Sequence, residues 1–228
     1  MDEEHLLQLV KKSFYGVYYF MIFAFIITLI SAFIVKDFQL QRILVVEILV
    51  TFISSVMYFI FTSNINQYFS VVHEKGDNID LNLSLIDRLR YNGWTFTTPL
   101  MLIALCMVLS SSTKIGLNPI LIFTILILDF IMLLLGYLGE LHIMDRLTSM
   151  MLGFIPLLTI FYLIFSTYII NTINPFNYII FFIYLVIWTG YGIVYWFDEK
   201  EKNILTNLFD AIAKGVVAIL LSFSYLTW

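Results

Sequence analysis

The sequence predicts an all-α membrane protein, a bundle of seven transmembrane helices, on three observations. Of the 228 residues, 61% are hydrophobic and only 12% charged, against about 25% charged in a soluble domain. The apolar residues run on for the roughly 20 positions that a membrane-crossing helix needs, and seven such runs stand between polar breaks. The runs are continuous, without the period of two expected of a lipid-facing barrel strand. This make-up excludes disorder, a coiled coil and a soluble enzyme of ordinary composition; no enzymatic role is expected.

The first span covers about Phe14–Val35 and closes at Lys36-Asp37. The second, about Ile43–Thr62, follows Arg42, and the polar stretch Ser63 to Arg90 reads as the longest connection in the chain. The third, about Tyr91–Leu109, ends at Ser110-Ser111-Ser112. The fourth covers about Pro119–Leu138 and the fifth about Leu147–Ile169. The sixth, about Tyr178–Trp196, comes after Asn171 to Asn177, and the seventh covers about Ile204–Leu226. Most loops are too short to hold a domain, so residues 1–228 are expected to form one unit. An odd number of crossings puts the termini on opposite sides of the bilayer.

The remaining composition sets further bounds. A net charge of −4 leaves no basic footprint for nucleic acid. Cys106 is the single cysteine, so no intrachain disulfide forms. His5, His73 and His142 are scattered and form no metal-ligand pattern. The acidic start MDEEHLLQLVKK lacks the basic region and cleavage site of a signal peptide, so the first apolar segment is expected to be retained. Glu140 and Asp145 flank a loop and read as interfacial, while Lys200 and Lys202, alternating with Asp198, Glu199 and Glu201, read as a solvated turn. Lipid is the expected surrounding, and association with further copies stays open.

Orientation is less direct. The side of the N-terminus carries Lys11, Lys12, Lys75, Arg88, Arg90, Arg146, Lys200 and Lys202, the opposite side only Lys36, Arg42 and Lys114. A bare count of cations would place the N-terminus in the cytoplasm.

Four ionisable residues fall well inside the spans: Glu47, Asp129, Asp210 and Lys214. Charge in the bilayer is costly, about 2.5 kcal/mol or more, so each is a functional candidate. Asp210 and Lys214, four residues apart, share one helix face. A desolvated lysine amine is a nucleophile towards an aldehyde and forms a Schiff base, and Asp210 is placed as its counterion. A structural intramembrane ion pair is the alternative.

The third span reads Arg90-Tyr91-Asn92-Gly93-Trp94-Thr95-Phe96-Thr97-Thr98-Pro99-Leu100, and the seventh contains Asp210-Ala211-Ile212-Ala213-Lys214. The sixth offers Trp188-Thr189-Gly190-Tyr191, and the fourth Asp129-Phe130-Ile131-Met132 with Gly136 beyond. Together, in this order, they resemble the microbial (type 1) rhodopsin family. Thr159-Ile160-Phe161-Tyr162 and Tyr137-Leu138-Gly139-Glu140 resemble more narrowly the giant-virus rhodopsins of the light-gated channel group. The resemblance implies an extracellular N-terminus and a cytoplasmic C-terminus, against the cation count. It implies all-trans-retinal on Lys214, with Asp210 as counterion. Its pocket would be lined by Trp94, Thr98, Met101, Asp129, Met132 and Gly136, with Trp188, Tyr191 and Tyr195 on the sixth span.

Departures from the family pattern shape the functional expectation. Gly93 stands where the proton pumps carry the acid that accepts the Schiff-base proton, and Ala104 stands where they carry the internal donor. Outward pumping through that relay is not expected, because a proton needs an acceptor within hydrogen-bond reach. The lost carboxylate is expected to leave space and water near Lys214, with Asn92 as a neighbouring polar group. Thr98 and Asp129 match a helix-three to helix-four pair that times the gate in channelrhodopsins, or that merely braces the two helices. Glu47, eleven residues before Tyr58 and so about 16 Å along a helix, is a candidate constriction of a cation path, or a carboxyl near the helix end that snorkels or stays protonated. Arg90 is a candidate gate near Asp210. Asn203 marks an outer mouth or serves only as a helix N-cap. Gly192 replaces the proline common after the helix-six Tyr. A light-gated channel for monovalent cations is the expected function; a photosensor signalling to a partner and a light-driven ion pump are the alternatives.

Overall fold

The computed structural model describes residues 3–75, 81–113, 115–170 and 174–226. Lys114, the polar residues Asn171 to Ile173 and the side chains of His73 and Lys75 lie outside the described residues. Seven helices are long and apolar enough to cross a membrane, and among the described residues there is no strand. They are α1 (Glu3–Ile34), α2 (Phe38–Lys75), α3 (Leu83–Ser111) and α4 (Pro119–Glu140). The chain continues through α5 (Arg146–Ile169), α6 (Pro175–Val194) and α7 (Glu199–Leu226).

Each short connection ends in a residue that starts the next helix. The Asn118 side chain accepts from the N–H groups of Ile120 at 3.0 Å and Leu121 at 3.3 Å, with Pro119 in the first turn. Asn174 and Pro175 repeat the device at α6. Asn82 accepts from Leu85 at 3.0 Å at the start of α3, and Asp145 from Thr148 at 3.1 Å at α5. These oxygens satisfy amides that have no partner in a helix's first turn, and proline loses nothing there because its N–H would be idle. The backbone hydrogen bond from Thr148 holds the exposed Asp145 carboxyl below the usual carboxylate range.

The connection expected over Ser63 to Arg90 is largely helix. α2 continues to Lys75 and α3 starts at Leu83. Residues 63–75 contain neither proline nor glycine, and a helix ends at a breaker or a cap rather than at the edge of its apolar run. The extension has its own core: Ile65 is buried with Val10, Phe14, Leu83 and Ile86. α1 likewise begins at Glu3, ahead of the apolar run at Phe14.

A larger core fills the rest of the bundle, with Leu102, Leu105, Ile160, Ile164, Phe181 and Trp188 all buried. Outward faces remain apolar: Phe33 is 82% and Ile120 78% exposed, a surface that suits hydrocarbon and not water. Regular α-helix gives way to π-helix twice, over Phe165–Ile169 and over Ala211–Val216. The second places a wide turn around Lys214, and such bulges are frequent at functional sites.

Candidate functional site

Lys214 and Asp210 face each other inside α7 as an ion pair, with side chains 5% and 2% exposed. The Asp210 carboxylate has further partners. The Tyr191 hydroxyl donates to its Oδ1 at 2.7 Å, and Oδ2 lies 2.8 Å from the Tyr58 hydroxyl and 3.3 Å from Nη1 of Arg90. A buried carboxylate is tolerable only when its charge is opposed and its lone pairs are used. Here two cations and two hydroxyls do both.

Arg90 carries this network towards the end of the bundle that holds the N-terminus. Its Nη2 donates to Asn203 Oδ1 at 3.0 Å and also to Asn207 Oδ1, while Phe14 and Phe61 stack about the guanidinium at 5.0 and 5.1 Å. Asn207 in turn donates to Ser13 at 2.8 Å, and Asn203 to Asp87 Oδ1 at 3.0 Å. Asn203 is therefore no N-cap. Asp198 takes that position, and Asn203 lies inside the helix, fully buried.

Lys202 corrects a second expectation. It is no solvated turn residue but is 4% exposed, with Nζ 2.6 Å from Asp87 Oδ2 and 2.9 Å from Glu140 Oε1. Glu140, taken from sequence as interfacial, has a side chain 9% exposed and also meets Arg146 at 3.9 Å. The signal that could have exposed Lys202 is its phase: Lys202, Thr206, Asp210 and Lys214 follow at intervals of four, so they form one stripe on α7. Tyr58 and Asn207 had no comparable signal, because each gains its meaning from a partner on another helix.

A cavity of about 130 Å³ extends from Lys214. It is walled by Trp94, Thr98, Met101, Trp188 and Tyr191, and also by Met132, Gly136 and Tyr195. Trp94 and Tyr191 meet edge-on at 5.4 Å, as do Trp188 and Phe161 at 5.8 Å, the tilted geometry that ring quadrupoles favour. Glycine at 136 lets Tyr91 approach α4, since a Cβ there would stand 2.6 Å from the Tyr91 hydroxyl. Tyr195 donates to the Gly136 carbonyl at 3.1 Å. Asp129 does not reach the cavity. It stands behind Thr98, whose hydroxyl donates to Asp129 Oδ2 at 2.8 Å, and its Oδ1 has no partner.

The space expected beside Gly93 is mostly filled. Met57 leans in from α2 so far that a Cβ on residue 93 would lie 2.9 Å from Met57 Cγ. What remains, between Ser54, Thr97, Asp210 and Lys214, is about 10 Å³, room for about one water. Asn92 is exposed and points away from this site. Ala104 is fully buried. At Gly192 a Cβ would lie 2.6 Å from the Phe154 ring, so glycine there admits Phe154 against α6.

Glu47 does not snorkel. It is fully buried, and among the described residues neither carboxyl oxygen has a hydrogen-bond partner. Tyr184 and Tyr225 are within electrostatic reach of it. Tyr225 lies eleven residues past Lys214 on α7, so Glu47 and Arg90 are on opposite sides of the lysine.

Comparison with known proteins finds the same architecture elsewhere. A family model described as bacteriorhodopsin-like protein matches residues 9–227. Among solved structures, the viral rhodopsin OLPVRII superposes with a TM-score of 0.83 at 26% identity, over 96% of this chain and 98% of its own. Xanthorhodopsin, described as a light-driven ion pump with dual chromophore, gives 0.78 at 21% identity, over 98% and 94%. The blue light-absorbing proteorhodopsin from Med12 gives 0.73 at 23%, over 96% and 97%. No curated protein matches the chain.

Proposed function

The chain belongs to the bacteriorhodopsin-like protein family, and on that premise we propose that it is a retinal-binding photoreceptor working as a light-gated cation channel. It is a multi-pass integral membrane protein. The observation that carries the channel reading is Gly93 itself, which stands on α3 beside Lys214 and Asp210 without a carboxyl. No acid from α3 stands beside Lys214, so a proton leaving that amine finds no α3 acceptor to direct it outward.

The lining supports retinal as the ligand. A buried amine lines a space whose walls include indole, phenol and thioether groups, as an apolar aldehyde requires. Bound retinal would supply the visible absorption and the light-driven isomerisation. Lys214 offers the amine that attaches it, and Asp210 holds a negative charge against that position. Tyr58, Tyr191 and Arg90 fix the carboxylate so that its charge stays oriented. Trp94 and Trp188 wall the cavity together with Met101, Met132, Gly136 and Tyr195. The Thr98–Asp129 hydrogen bond ties α3 to α4 beside the amine.

In this reading monovalent cations pass between the helices through two constrictions. Arg90, with Asn203, bars the side of the N-terminus, because a guanidinium in the path repels cations until it swings aside. Glu47 bars the other side, where a carboxyl without partners can take a passing cation. The N-terminus is extracellular and the C-terminus cytoplasmic, the whole chain forms one retinal-binding unit, and no substrate is chemically turned over.

Voltage-clamp photocurrents in cells given all-trans-retinal, with sodium and potassium exchanged across the membrane, test the proposal. A reversal potential that follows the replaced cation supports a channel. Current that persists without voltage or gradient marks a pump, and a coloured protein without current marks a sensor.

A further inference from the structure

The ion-pair cluster around Lys202 does not touch Lys214 and joins its site only through Asp87, which meets Asn203 and Arg90, yet both lysines line one cavity. Lys202 comes from the end of the first turn of α7, Asp87 from the second turn of α3 and Glu140 is the last residue of α4. One ammonium thus bridges carboxylates on two other helices, at 2.6 and 2.9 Å. Its side chain is 5% exposed and those of Asp87 and Glu140 are 5% and 9% exposed, and all three line the cavity at the end of the bundle bearing the N-terminus. Arg146, 34% exposed, sits on its outer side. Thr206, one turn below Lys202, lines the cavity and is 4% exposed.

We propose that Lys202, Asp87 and Glu140 form a gate at this end of the ion path: an ion-pair clasp that ties α7 to α3 and α4, seals the cavity in the dark, and parts when α7 moves. This rests on the channel reading above. Burying three charges to hold helices together is a poor source of stability, since the desolvation penalty offsets much of the attraction. A clasp is different. Withdrawing Lys202 opens the cavity and leaves two carboxylates facing it, which attract a cation and reject an anion. The clasp also has a lever. Lys202 lies twelve residues ahead of Lys214 on the same helix, about 18 Å along its axis, and the π-helical turn at Ala211–Val216 begins between them. A π-turn that relaxes to α-helix changes the rotation of the segment ahead of it, which carries Lys202 away from its partners.

The test uses the full chain in membranes, with Thr206→Cys as the reporter and Cys106→Ala removing the native thiol. A charged, membrane-impermeant thiol reagent is added from the side of the N-terminus. With the clasp intact, labelling is slow in the dark. Lys202→Met speeds it on the order of tenfold, because the shared ammonium is lost and Asp87 and Glu140 keep separate partners, Asn203 and Arg146, that do not tie α7 to α4. Glu140→Gln, at a helix end, does the same to a smaller degree, and Lys202→Arg restores slow labelling. Equal rates in all four proteins overturn the gate, and so does a reporter that stays unreactive when either clasp partner is changed. The rates are read without retinal. Photocurrent is then measured on the same proteins: faster labelling without any cation current in the parent keeps the clasp as a seal and overturns the channel reading.

Discussion

Met57 occupies the volume that a side chain at residue 93 would need: a Cβ built on Gly93 meets Met57 Cγ at 2.9 Å and Cε at 3.3 Å. The two residues belong to α2 and α3, so the absence of an acid on one helix is matched by the presence of a thioether from another. The site is thus closed by packing where the sequence suggested an opening.

Gly93→Ala tests that relation through its sign. Alanine gains about 1 kcal/mol over glycine in a helix interior, but forcing a methyl against a fixed Met57 costs about 1–3 kcal/mol. In the native background the exchange is expected to be neutral or destabilising, and in a Met57→Ala background stabilising. Unfolding of the four proteins of this cycle in detergent measures the coupling. An identical effect of Gly93→Ala in both backgrounds would refute the close approach.

Lys214→Ala should abolish the visible absorbance of protein reconstituted with all-trans-retinal, while the fold persists. Removing the lysine leaves Asp210 paired with Arg90 alone, so a fall in thermal stability accompanies the loss of colour. Retained colour would falsify the attachment site.

Asp210→Asn removes the charge that Lys214, Arg90, Tyr58 and Tyr191 converge on. A protonated linkage at Lys214 then has no fixed anion, and the charged form is disfavoured. The visible band of the reconstituted protein is expected to give way to a near-ultraviolet band at neutral pH. Added chloride that restores the visible band would show an anion replacing the carboxylate; an unchanged spectrum would mean that another group is the counterion.

Thr98→Val takes from Asp129 its only hydrogen-bond partner among the described residues, its other oxygen having none there. An unsatisfied buried polar group costs about 1–3 kcal/mol, so the melting temperature falls. Combining it with Asp129→Leu removes both partners of the bond and recovers most of that loss. If the pair also times a gate, photocurrent closing changes in either single variant; a bracing role leaves it untouched.

Glu47→Leu should raise stability by about 1–3 kcal/mol, the cost of burying a polar group without a partner. The same variant should reduce cation photocurrent, since a residue kept against stability is kept for function. Gain in melting temperature with full current would remove Glu47 from the path.

Much of this protein was legible in its sequence, for a local reason. A bilayer demands about 20 apolar residues per crossing, so the seven spans could be counted from composition along the chain, and the structure places them within a few residues except where α1, α2 and α3 extend beyond the apolar run. A spacing of four fixes one helix face, so the pairing of Lys214 with Asp210 was equally readable. The resemblance of the helix-three and helix-four motifs brought Thr98 and Asp129 together correctly. What the sequence misassigned depends on how helices rotate against one another. Lys202 among acids reads the same whether the turn is in water or buried, and only the approach of α3 and α4 puts Asp87 and Glu140 around it. The missing side chain at Gly93 was visible in the sequence, but Met57 fills the gap through the register of α2 against α3, a relation between residues distant in the chain that no local pattern encodes.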